Sequence, residues 1–114
     1  MGSESLAQRK CAPCEKGTPP LSSQAAASYL AQLSDWELVD SKILRKQVAA
    51  KSFLDAVDLI QKIAPIAEAE DHHPDLHLTG YKRLRIELST HSIGGLSEND
   101  FILAAKLDSL LPSK

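Results

Sequence analysis

The chain carries four histidines, all between positions 72 and 91: the adjacent pair His72-His73, then His77 and His91. Imidazole accepts a proton when neutral and donates one when charged, with a reference pKa of about 6.5, so gathered histidines suit acid–base chemistry near neutral pH. Metal binding is the rival use. The only helical ligand spacing, His73 to His77, is broken by Pro74, and His77 then falls in an alternating run, so an i, i+4 zinc pair is not expected. His77 should point away from the face shared by Leu76 and Leu78, as a solvent-facing strand residue. On spacing alone a structural reading stays open beside the catalytic one: His72 and His73 would close a helix end and His91 would satisfy a loop. Cys11-Ala-Pro-Cys14 lacks both a second ligand pair and a strand–helix context, and reads as two thiols in an extended arm.

These groups need elements to hold them. Residues 1–21 are polar, with three prolines and no apolar period, and read as an extended leader before a single domain over 22–114. Ser22 or Ser23 can cap a first helix running through Tyr29, Leu30 and Leu33. Trp36 to Val39 and Ile43 to Val48, with Asp40-Ser41 between them, suggest a hairpin. Ser52 precedes a second helix in which Phe53, Val57, Ile60 and Ala64 recur at helical spacing; Pro65 should kink or tighten it before it continues to about Glu70 and delivers the histidine pair. Leu76-His-Leu and Leu84, Ile86 and Leu88 give a second hairpin turning at Thr79-Gly80. Ser97 and Asp100 have capping-box spacing ahead of a third helix with Phe101, Leu103, Ala104, Leu107, Leu110 and Leu111, stopped by Pro112. The expected fold is α+β in the order α-β-β-α-β-β-α, a four-stranded antiparallel sheet with three helices on one face.

Composition narrows the function classes. At 114 residues, 43% hydrophobic and 25% charged, the chain is an ordinary one-domain length and balance, and its net charge of −2 gives no general footprint for nucleic acid or an anionic membrane. No run approaches the roughly 20 apolar residues that cross a bilayer, and the first ten residues are polar, so neither a spanning helix nor a signal peptide is expected. A cytoplasmic location follows as the expectation, with an organellar origin left open.

Taken together, Glu68-Ala-Glu-Asp-His72-His73-Pro74, Tyr81, Thr90-His91, Gly95-Leu-Ser and Asp100 resemble the signature of the pterin-4a-carbinolamine dehydratase family. Glu68 stands four residues before His72, and His91 ten after Tyr81, as that pattern asks. The leader, Trp36 and the helix before the histidines also resemble members of the family, while Leu76 stands where animal members carry tryptophan. The resemblance implies dehydration of a 4a-hydroxytetrahydropterin to the quinonoid dihydropterin, which lets aromatic amino-acid hydroxylases recycle their cofactor. It implies no metal and no organic cofactor. By position His72 resembles the principal acid–base histidine, His73 its pterin-orienting neighbour, and His91 the acid serving the opposite face of C4a. Glu68 and Asp100 would orient imidazoles or bond the pterin, Pro74 would aim the pair, and Trp36 would either wall the pterin or fill the core. The resemblance also implies a homodimer or homotetramer. A non-catalytic partner-binding or assembly-factor role is the alternative the same family offers.

Overall fold

The structure, a computed structural model, describes residues 19–40, 42–90 and 93–111. His91, Cys11 and Cys14, Ser41, Pro112 and most of the leader lie outside the described residues.

Each helix starts where a short polar side chain can take up free amides. Ser22 caps α1 (Ser23–Leu30), its Oγ accepting from the Ala25 N–H at 3.1 Å, and Ser52 caps α2 (Phe53–Glu70) in the same way from Asp55, also at 3.1 Å. At α3 (Glu98–Asp108) the reaching group is the aspartate: the Ser97 N–H donates to Asp100 Oδ2 at 2.9 Å. The strands are β1 (Glu37–Val39), β2 (Ile43–Ala49), β3 (Asp75–Thr79) and β4 (Arg83–Leu88), in the expected order α-β-β-α-β-β-α. All neighbours pair antiparallel in the order β1-β2-β4-β3, so the two hairpins meet through β2 and β4, with Leu44 opposite Leu88 and Val48 opposite Leu84.

That register puts Leu44, Lys46, Val48, Leu84, Ile86 and Leu88 on one sheet face, all buried in or beside the core that the helices complete. Arg45, Gln47, Arg83 and Arg85 alternate onto the other face. Lys46 is the odd member of the buried row, at 3% exposure. Its Nζ meets Asp108 Oδ1 at 2.9 Å and lies 5.8 Å from the Trp36 ring centroid, and the Trp36 indole N–H donates to the same oxygen at 2.8 Å. This group pins β2 and the segment before β1 to the far end of α3.

Two helices differ in detail from the periodic reading. The face of α2 that is buried runs through Ala56, Ile63 and Ala67, whereas Phe53, Leu54 and Ala64 are exposed. Apolar residues occupy more than one side of α2, so period alone left its phase open, and small residues at 56 and 67 let the helix approach its neighbours closely. Pro65 sits within α2, which continues to Glu70 as expected. α3 buries Phe101, Ile102, Leu103 and Ala104 in succession, because other elements surround it on more than one side. The chain joins the fold just ahead of α1: the Leu21 N–H donates to the Leu96 carbonyl at 2.8 Å, and a Cβ placed on Gly95 would lie 2.8 Å from Pro20 Cβ, which only glycine avoids.

Candidate active site

The site begins where α2 stops. Asp71 takes the left-handed conformation (φ 52°), its N–H bonds the Glu68 carbonyl at 3.2 Å, and the His72 N–H bonds the Ala67 carbonyl at 3.1 Å. This is a Schellman-type end with aspartate in the place glycine usually holds. Pro74 then disfavours a helical His73, so the chain leaves extended and enters β3 at Asp75. Two adjacent histidines are thereby held between a helix end and a strand start.

Their partners differ. His72 Nε2 lies 2.6 Å from Asp100 Oδ1, with the histidine side chain 11% exposed and the aspartate 0%. Asp100 Oδ2 also accepts from the Thr90 hydroxyl at 2.8 Å and from the Ser97 N–H at 2.9 Å, and Thr90 Oγ1 stands 2.8 Å from Ser97 Oγ. Since Thr90 spends its hydrogen on the carboxylate, the Ser97 hydroxyl donates to Thr90, giving a chain Ser97 to Thr90 to Asp100 to His72. An ionised carboxylate only accepts, so this contact places a hydrogen on His72 Nε2 and leaves Nδ1 as the nitrogen free to exchange a proton. His73 Nε2 meets Glu68 Oε1, also at 2.6 Å, but with side chains 56% and 76% exposed.

Four of the expected site residues, Glu68, His72, His73 and Asp100, thus form two histidine–carboxylate pairs, and Pro74 adjoins them in sequence. Trp36 does not join them. It is a core residue bonded to Asp108, and Asp100 and Asp108 stand about 12 Å apart along α3 at 1.5 Å per residue. His77 faces the open side of the sheet, its Nε2 3.3 Å from Glu87 Oε1. Ser97 was expected as the cap of the third helix and Thr90 stood in the motif without a role. The Thr90 hydroxyl and the Ser97 N–H fix Asp100 while the Ser97 hydroxyl backs Thr90, and the signal for this was a hydroxyl residue on each side of the Gly94-Gly95 turn. Among the described residues no three histidine, cysteine or acidic side chains gather to hold a metal ion, and no helix is long and apolar enough to cross a membrane.

Fold and site define a small α+β domain with paired histidines at a helix end, one of them oriented by a buried carboxylate. The family model for pterin 4 alpha carbinolamine dehydratase matches residues 19–110, and the chain belongs to that family. Pterin-4-alpha-carbinolamine dehydratase 2, mitochondrial, of Arabidopsis thaliana is 45% identical over 109 residues, 92% of this chain and 58% of that longer protein. A protein of Nitrosomonas eutropha that bears the same dehydratase name provisionally is 48% identical over 95% of both chains. Among solved structures, a Brucella melitensis protein described as a transcriptional coactivator/pterin dehydratase superposes with a TM-score of 0.75 at 29% identity, covering 82% of this chain and 99% of that one. A pterin dehydratase-like RuBisCO assembly factor of the alpha-carboxysome shares the fold at a TM-score of 0.56 and 20% identity, over 72% of this chain and 93% of its own.

Proposed function

We propose that this protein dehydrates 4a-hydroxytetrahydropterin to the quinonoid dihydropterin, in support of tetrahydrobiopterin-type cofactor recycling. The reaction removes the proton on N5, breaks the C4a–O bond as the leaving hydroxyl gains a proton, and forms the C4a=N5 double bond with release of water. It needs a base and an acid and no electron transfer, which histidines alone can supply. His72 is the principal acid–base group, exchanging its proton at Nδ1 while Nε2–H stays on Asp100. His91 is the acid on the opposite face of C4a, and His73, steadied by Glu68, orients the ring. Asp100 is a positioning residue that acts through His72. Pro74 sets the direction of the pair.

The observation that carries this reading is the 2.6 Å contact between His72 Nε2 and a carboxylate with no exposed surface. A helix-end histidine with only a structural task has no need of a dry, fully bonded counter-charge; an acid–base histidine does, because one ring nitrogen must be fixed for the other to work. The test is the rate of 4a-hydroxytetrahydropterin dehydration, followed by ultraviolet absorbance, in wild type, His72→Ala and His91→Ala. Wild type should accelerate the reaction, and each variant should lose about 100-fold to 10,000-fold. A folded wild type without acceleration on several pterins would overturn the reading in favour of the partner-binding role.

Self-association as a homodimer or homotetramer belongs to the same proposal. Phe53 and Leu54 are 52% and 77% exposed at the start of α2, an apolar pair that a second copy would cover. Sedimentation of wild type beside Leu54→Asp measures it: the variant should shift toward smaller species.

A further inference from the structure

The helix-free face of the sheet carries its own chemistry. In one cross-strand row Gln47, Arg85 and His77 stand side by side; in the next Arg83 faces Thr79. Rows are about 7 Å apart and strands about 4.8 Å, so these side chains share one patch. They line a surface cavity of about 280 Å³. Arg85 Nε and His77 Nε2 are shut off from water there without a hydrogen-bond partner. The carboxylate beside them, Glu87, is 3.3 Å from His77 Nε2 and 3.5 Å from Arg85 Nε, near enough to attract the guanidinium but without a hydrogen bond to either atom. One row further on, Arg45 Nη2 leans on Glu37 at 3.4 Å while its Nε, too, is shut off without a hydrogen-bond partner, but that residue does not line the cavity; Arg83, which does, has no carboxylate partner among the described residues.

Buried polar atoms are nearly always bonded in folded proteins, so the orphaned Arg85 Nε–H and the imidazole nitrogen beside it, a second donor whenever it carries hydrogen, together with an Arg83 guanidinium that has no carboxylate partner among the described residues, mark a place for an acceptor from outside. We propose that the cavity over Arg83, Arg85 and His77 binds a phosphate-class oxyanion, free or carried on a small molecule. Two guanidinium forks, an imidazole, the Gln47 amide and the Thr79 hydroxyl offer more donors than one carboxylate can use, and guanidinium forks match phosphate oxygens in pairs. The sheet separates this site from the histidine pairs: Asp100 lies with the helices, while His77 and Arg85 face the other way.

Titration of the full chain with inorganic pyrophosphate and, separately, a nucleoside diphosphate, read by calorimetry and by backbone amide shifts along β3 and β4, tests the site independently of the dehydratase reading. Saturable binding of one anion per chain is expected, and the tighter of the two ligands tells whether the group is taken free or on a larger molecule. Arg83→Gln/Arg85→Gln should weaken binding by about tenfold or more, the size of one lost charged hydrogen bond. Glu87→Gln removes the competing carboxylate at constant size and should tighten it, a gain that a damaged fold cannot produce. Absence of saturable binding in wild type, an unchanged affinity in the double variant, or acetate binding as tightly as pyrophosphate would each overturn the assignment.

Discussion

His72 with Asp100 and His73 with Glu68 make the same contact, 2.6 Å from ring nitrogen to carboxylate oxygen, in opposite surroundings. Glu68 hangs on the solvent side of α2 with one partner, and Asp100 has no exposed surface and three donors on it. Distance therefore says little about what each pair is worth. An exposed pair gives back most of its attraction to water, salt and side-chain entropy, whereas a buried carboxylate stripped of its donors, or donors stripped of their carboxylate, are left uncompensated. Burial holds the inner pair in one geometry, whereas exposure leaves the outer pair open to competition from water.

The largest effect that would sharpen this contrast is expected from Asp100→Ala. It removes the acceptor of three buried donors and one half of the α3 cap, and should lower stability by about 3 to 5 kcal/mol in urea unfolding while lowering the dehydration rate about as far as His72→Ala does. Thr90→Val comes next. It keeps the shape but leaves Asp100 one donor short, and should reduce the rate by about tenfold, with Thr90→Ser restoring it. Equal rates in Thr90→Val and wild type would break the positioning role. The smallest is Glu68→Gln, with stability within about 0.5 kcal/mol of wild type and any kinetic change in KM rather than kcat. A loss in Glu68→Gln as large as that in Asp100→Ala would dissolve the distinction between the pairs.

The strands and the helix starts were open to reading because each obeys a local rule. Leu84, Ile86 and Leu88 alternate, and Ser22, Ser52 and Ser97 stand where first-turn amides need acceptors. What escaped depends on the partner surface. Ile102 lies off the apolar stripe expected for α3 yet is buried, because α3 is enclosed on more than one side. Lys46 occupies a buried slot that alternation reserves for an apolar residue, and only Asp108, 62 positions later, makes that tolerable. Within the site, His72 and Asp100 are 28 positions apart. No period links them, so an orienting role for Asp100 was available only through resemblance to a family motif, and its pairing with His72 and the hydroxyl chain from Ser97 through Thr90 only through the fold. For Trp36 the packing reading and the pterin reading were both open, and its bond to Asp108 places the indole with the core.

The left-handed turn at Asp71 has a consequence for entropy. Because the His72 amide is already tied to Ala67 and Pro74 restricts His73, the backbone of both histidines is ordered before any substrate arrives. Binding energy then need not be spent on arranging their backbone, and in the proposed reaction what remains to be ordered is the pterin and the exposed His73 and Glu68 side chains. Asp71→Gly isolates this contribution: it relieves the positive φ at the risk of loosening the turn. A slightly more stable protein, by about 0.5 kcal/mol, with an unchanged rate would mean that the hydrogen bonds hold the turn rather than the aspartate.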